Sequence, residues 1–309
     1  MTIWEEKKMK VISVLNNKGG VSKTTTCLNL AKGLADSGKR VLLIDLDSQG
    51  NASRFFFPEF YTAAGIKDFN ALTMTGKGSI ERLKELEQYF KKSVENIKDV
   101  NDLFLGEKEE IFECINTTEV DGLDVIPSIG GNLINTNEEL TRRKERSSNP
   151  TVYDRKLKTA LRMVRKHYDI VIIDNAPAFN NITINALLCS DEIIIPLKPA
   201  GMYEMDGFIA TAITALEFNQ IYGLDLRMHL LITMVHRGNR PDYIKFIEQM
   251  RSIFSDADEG IDVYNTTIGY QDSPASSSTM TSSFIIDDRK KKIGEDFYNL
   301  VQEVMGDAS

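Results

Sequence analysis

The run Asn17-Lys18-Gly19-Gly20-Val21-Ser22-Lys23-Thr24-Thr25 holds the residue types that a phosphate site needs, in a workable order. Glycines let several backbone N–H groups converge on phosphate oxygens, and a helix starting just after them adds roughly +0.5 charge. A lysine at the helix start, here Lys23, reaches the β- and γ-phosphates, and the hydroxyl of Thr24 beside it suits Mg2+. Two positions depart from the common G-x-x-x-x-G-K-[ST] spacing: Asn17 stands where the first glycine falls and Ser22 where the second does. Ser22 predicts a reshaped loop, because a backbone passing close to phosphates with φ > 0 suits glycine and strains other residues. A Gly-rich turn that only caps a helix is the plainer alternative, and the elements on either side weigh against it.

Those elements are a buried strand before the loop and a helix after it. Lys10 to Asn16 is a short β-branched apolar run, the segment from Thr25 to Asp36 has helical periodicity, and Arg40 to Asp45 is a second buried strand. Strand, tight loop, helix and strand make a βαβ unit and imply a parallel sheet. Further strand-like runs are Leu123 to Ile126, Asp169 to Asp174, Glu192 to Leu197 and Met228 to Val235. Helical patterns cover Thr151 to Lys166, Asn180 to Leu188, Glu204 to Phe218, Pro241 to Phe254 and Gly294 to Val304. The alternation predicts an α/β fold, a doubly wound, mostly parallel sheet with helices on both faces. One domain spanning residues 1–309 is expected, with an insertion at about 65–92 and a loop at Ser273 to Ser278.

With its early lysine, Lys18-Gly19-Gly20-Val21-x-Lys23-Thr24-Thr25 resembles the deviant Walker A motif of the ParA/MinD family of ATPases. Asn16-Asn17 and Thr26 around it are similar to the ParA branch. Asp45-Leu46-Asp47-Ser48-Gln49-Gly50-Asn51-Ala52 resembles the family's second motif, and Tyr168 to Asp174 with Asn175-Ala176-Pro177 resembles its Walker B strand and turn. Ile195-Pro196-Leu197 through Met205-Asp206-Gly207 is similar to the next block, while Thr233-Met234 and Asn265 to Ser276 are weaker echoes. The resemblance runs from about Met9 to Val304 and implies a P-loop ATPase that binds ATP through Asn17 to Thr25. It also implies Mg2+ held by Thr24, Asp174 and Asp45, and hydrolysis carried by Lys18, Lys23 and Asp47, the last orienting the attacking water. Asp174 ends an apolar strand, which is where a P-loop site places its magnesium carboxylate. Asp47 has a plainer alternative as a turn cap. In the family the lysine at the position of Lys18 crosses to a second subunit's nucleotide, so the resemblance implies an ATP-dependent homodimer.

The charge balance sorts the branches of that family. Lys plus Arg is 37 and Asp plus Glu is 45, a formal net charge of −8, which excludes a uniformly basic nucleic-acid coat but allows a local stripe. Arg155, Lys158, Arg162 and Arg165 recur at helical spacing opposite Leu157, Ala160, Leu161 and Val164. Arg142, Arg143, Lys144 and Arg146 precede them, and Arg289 to Lys292 form another basic run. Beside the resemblance, the stripe is the candidate surface for non-specific DNA; an ordinary solvated helix face is the alternative. Cys27, Cys114 and Cys189 lie far apart and suggest neither a disulfide framework nor a metal cluster. The last helical segment is acidic on its polar face, unlike a basic membrane-lying helix, so no membrane partner is expected. About nine residues precede the first strand, which resembles the smaller partition ATPases that work with a separate ParB-like centromere-binding adaptor. The expectation is a cytoplasmic, nucleoid-associated ATPase that partitions plasmid, phage or chromosomal DNA. A MinD-like or cargo-positioning ATPase and a P-loop metabolic enzyme are the alternatives.

Overall fold

Uninterrupted apolar, β-branched runs make strands that are buried on both faces, and such strands form the centre of this molecule. The computed structural model describes residues 9–57, 81, 84, 97–129, 133–199, 202–236, 241–255, 260–270 and 283–306. Among them, β1 (Lys10–Val14), β2 (Val41–Leu46), β3 (Asn116–Thr117), β4 (Leu123–Ile126), β5 (Ile170–Asn175), β6 (Glu192–Leu197), β7 (Arg227–Ile232) and β8 (Ile261–Val263) form one sheet. Its order is β3-β4-β2-β5-β1-β6-β7-β8, and β3 alone runs antiparallel to its neighbour. The chain winds one way from β1 to β2 and the other way from β6 to β8. The strand that feeds the Gly-rich loop therefore sits at the switch between the two halves, where open α/β sheets form their ligand crevice.

The helices are α1 (Lys23–Asp36), α2 (Asn51–Phe56), α3 (Val100–Leu105), α4 (Ile111–Cys114), α5 (Leu133–Arg146), α6 (Thr151–Asp154), α7 (Lys156–Val164), α8 (Asn181–Cys189), α9 (Met202–Tyr222), α10 (Pro241–Ser255) and α11 (Lys292–Gly306). Alternate strand residues serve opposite faces. Ile12, Val14 and Ile172 meet Leu30 and Leu34 of α1 and Phe297, Leu300 and Val301 of α11. Val11, Val171 and Ile173 meet Leu157, Leu161 and Val164 of α7 and Ala186 of α8. A third cluster joins Ile193, Ile195 and Leu230 to Phe208 and Ala212 of α9 and Met250 of α10. The close contact of α1 with α11 depends on Gly33, where an added Cβ would lie 2.5 Å from Val301 Cγ2. The apolar stripe of α11 is thus core, and among the described residues no helix is long and apolar enough to cross a membrane.

The helix expected over Thr151 to Lys166 is instead two, α6 and α7, broken at Arg155 (φ −115°, ψ 16°). Asn185 of α8 causes the break. Its amide donates to the Tyr153 carbonyl (2.8 Å) and accepts from the Leu157 N–H (3.1 Å), the two groups that would otherwise bond each other across that turn. Helix α5 was not expected from the sequence, because its buried stripe is thin: Leu133, Thr136 and Leu140. The insertion expected at about 65–92 lies, apart from Glu81 and Lys84, outside the described residues, as does the Ser273 to Ser278 loop.

Candidate functional site

The loop leaves β1 and is tied down at both ends by side chains from distant strands and helices. Asn16, fully buried, donates from Nδ2 to the Pro196 carbonyl (2.7 Å), and its Oδ1 accepts from the Lys18 N–H (2.9 Å). Thr211 of α9 accepts from the Asn17 N–H (3.1 Å) while its hydroxyl donates to the Gly207 carbonyl (2.7 Å). Gly207 allows α9 to come this close, since a Cβ there would stand 2.8 Å from Asn16 Oδ1 and 2.9 Å from Lys18 Cβ. At the far end, the Thr233 hydroxyl after β7 donates to the Val21 carbonyl (3.2 Å). Between these anchors Gly19 and Gly20 are exposed, with open space where a Cβ would be.

Ser22 has φ 69° and ψ 26°, the left-handed backbone foreseen for this position, and Met234 beside Thr233 has φ 57°. Two strained non-glycine residues therefore abut one loop, a pattern that accompanies functional sites. Ser22 is also the N-cap of α1, yet its side chain makes no capping bond and the first turn carries no acid. The first N–H groups of α1 are therefore left without a side-chain partner, at the positive end of the helix dipole, as an anion site requires.

Behind the loop, Lys23 is buried and its ammonium donates to the Lys18 carbonyl (2.8 Å). Burial lowers its pKa, and the charges of Asp174 and Asp47 oppose that shift. Asp174 of β5 lies in register with Val14 of β1 on one side and Asp45 of β2 on the other. It is 1% exposed, and burial first, then the charge of Asp45, push its pKa up. Thr24 and Cys27 are its neighbours, but neither carboxylate oxygen has a donor at full hydrogen-bonding geometry. A buried carboxylate left in this state is costly unless a cation satisfies it.

Asp45 is fully buried but differently placed. Its oxygens accept from the Ser53 N–H (2.9 Å), the Ser53 hydroxyl (2.7 Å) and the Asp47 N–H (3.0 Å). Burial still raises its pKa, with these bonds pulling the other way. Asp47 is half-buried and caps the turn into α2 by accepting from the Gln49 N–H (2.9 Å). The structure thus brings Asn17 to Thr25, Asp45, Asp47 and Asp174 to one end of the sheet. Among the described residues no cluster of three or more His, Cys, Asp or Glu side chains could hold a metal unaided. A 510 Å3 pocket opens just past Thr233, lined by Val235, Asn265, Gly269, Asp296 and Asn299 among others.

The basic residues distribute unequally. Arg142 pairs with Glu138 and Glu139, Arg143 with Glu139, and Lys144 with Asp154. Arg289 stacks on Tyr298, Lys291 pairs with Asp288, and Lys292 with Glu295. Three of the four cations of the first run and two of the four of the second are thus ion-paired with described acids. Arg155, Arg162 and Arg165 are exposed and Lys158 is half-buried along α7, away from the loop. Ser53 and Thr211 carry no signal in the sequence as supports of the site, whereas Asn16 and Thr233 stand out there only as parts of the family resemblance.

A family model described as an AAA domain matches residues 9–222. The sporulation initiation inhibitor protein Soj of Bacillus subtilis is 30% identical over 297 residues, covering 96% of this chain and 98% of that protein. The chromosome partitioning protein ParA of Myxococcus xanthus is 30% identical over 247 residues, covering 79% of this chain and 71% of its own. Among solved structures, a plasmid partition protein of Borrelia burgdorferi bound to AMPPNP superposes with a TM-score of 0.65 at 22% identity, covering 97% of this chain and all of that one.

Proposed function

The chain belongs to the AAA-domain family of ParA-type P-loop ATPases, and on that premise we propose that it is an Mg-ATP-dependent partition ATPase that dimerises on ATP and moves DNA. The observation that carries the nucleotide half is the uncapped start of α1 together with the buried carboxylate of Asp174, which neighbours Thr24 but has no donor at full hydrogen-bonding geometry. In this reading the N–H groups of Gly19 to Thr25 hold the phosphates, and Lys23 exchanges the Lys18 carbonyl for the β- and γ-phosphate oxygens. The pocket beyond Thr233 takes the nucleoside end. Thr24 and Asp174 would hold Mg2+, which when bound supplies charge neutralisation on the phosphates. Asp45, with its oxygens engaged by Ser53 and Asp47, serves from behind, fixing the backbone that presents Asp47 to the attacking water. Lys18 extends to the nucleotide of a second subunit, where a cation favours phosphoryl transfer.

For the DNA half, the family supplies the expectation, and Arg155, Lys158, Arg162 and Arg165 supply a basic stripe whose three arginines are exposed. A ParB-like centromere-binding adaptor stimulates hydrolysis and so returns the dimer to monomer and releases it from DNA. Two measurements test the reading. Sedimentation should show the parent shifting to a dimer with Mg-ATP while Lys18→Ala binds ATP and stays monomeric; an ATP-driven dimer of that variant would refute the role of Lys18. DNA capture should need ATP and be lost in Arg162→Glu/Arg165→Glu with basal ATP turnover retained; undiminished capture would remove the stripe.

A further inference from the structure

At the pole of the sheet opposite the loop, the starts of β1, β5 and β6 border a cavity of about 690 Å3. That is within the 300–1,000 Å3 range, roughly, of small-molecule pockets. Val11, Leu161 and Cys189 give it an apolar lining, and Lys158 and Arg162 stand over it one turn apart on α7. The two acids in its wall already serve the backbone: Asp169 accepts from the Arg40 N–H (2.9 Å) and guanidinium (3.1 Å), and Asp191 accepts from the Val11 N–H (2.9 Å). Lys158 and Arg162 make no ion pair with a described residue. Two cations without an ion pair thus line a half-open, partly apolar space. A duplex is too wide to enter it, whereas a single phosphoryl group on a small body is not. From Val11 to Asn16 the chain advances about 16 Å at strand rise, so this space is separate from the nucleotide loop.

We propose that this cavity is a second anion site, which takes the phosphoryl group of a small molecule between Lys158 and Arg162. The inference goes beyond partition: it needs only the cavity and its two cations, and stands or falls whether or not the chain handles DNA.

The test is calorimetric titration of the full chain with inorganic pyrophosphate, in the presence of saturating Mg-ADP so that the loop is already filled. The expected result is saturable binding at one site, weakened about tenfold or more for each charged donor removed in Lys158→Ala/Arg162→Ala. No saturable binding to the parent, or binding unchanged in the variant, would overturn the site. Should the double variant melt below the parent, Arg162→Gln, which removes charge at an exposed position, gives the same comparison. A blunt duplex without terminal phosphates completes the set. If it displaces pyrophosphate, the two cations belong to an open nucleic-acid surface and the small-molecule site is overturned; if it does not, the phosphoryl group comes from a free metabolite, as proposed.

Discussion

Gly207→Ala separates the role of α9 in the site from its role in the fold. The substitution gains about 0.8–1.0 kcal/mol of helix propensity. Against that, the new methyl would stand 2.8 Å from Asn16 Oδ1 and 2.9 Å from Lys18 Cβ, and the latter atom is fixed to the loop backbone and cannot swing aside. Overpacking of this kind costs about 1–3 kcal/mol. Displacing Asn16 also weakens the bond it accepts from the Lys18 N–H, worth about 1 kcal/mol. The net expectation is a loss of about 1–3 kcal/mol and a melting temperature lower by about 2–4 °C for each kcal/mol. The functional effect should be far larger, because a displacement of about 1 Å in a catalytic group costs on the order of 100-fold in rate. Phosphate-release assays should therefore show turnover down about 100-fold, while ADP affinity, which depends on Lys23 and the start of α1, stays within about tenfold. Thr211→Val removes the acceptor of the Asn17 N–H without adding bulk and should lower turnover in the same direction. Parent-like turnover in both variants would refute the claim that α9 positions Lys18.

Three further substitutions address the strain and the buried charges. Ser22→Gly should raise the stability of the nucleotide-free chain by up to about 1.5 kcal/mol, the left-handed cost of about 1–2 kcal/mol less glycine's extra unfolded freedom of about 0.5–1 kcal/mol; a lower midpoint in urea would contradict the strain assignment. Asp174→Asn should abolish measurable ATP turnover yet leave the nucleotide-free chain as stable as the parent or more so, because it removes a buried charge without a donor; a destabilised variant would mean that the carboxylate is satisfied. Glu192, fully buried at the start of β6, pairs with Lys10 (2.8 Å) and Arg227 (2.5 Å). Removing its charge in Glu192→Gln should cost about 3–5 kcal/mol in chemical denaturation, and a loss below about 1 kcal/mol would show that the cluster is not a stabilising one.

What the sequence disclosed and what it concealed follow from the range of the interactions involved. Strand runs such as Glu192 to Leu197 and the lysine, glycine and threonine order of the loop are local, and each is legible because periodicity and turn chemistry act over a few residues. Asn185 cutting the helix at Arg155, Ser53 engaging Asp45, and Thr211 holding Asn17 are contacts between segments joined only by the fold, and no spacing announces them. The same division explains why three basic runs of similar appearance differ in kind. Arg142 to Lys144 sit on α5 with Glu138 and Glu139 one turn away and Asp154 across the gap, so their charge is cancelled in place. Lys158 and Arg162 lie on α7 over a cavity whose two acids, Asp169 and Asp191, are engaged by the Arg40 and Val11 backbones, and neither cation makes an ion pair with a described residue. A count of cations along a chain therefore says where positive charge begins, and only the packing of carboxylates around it says where any remains to recognise a phosphate.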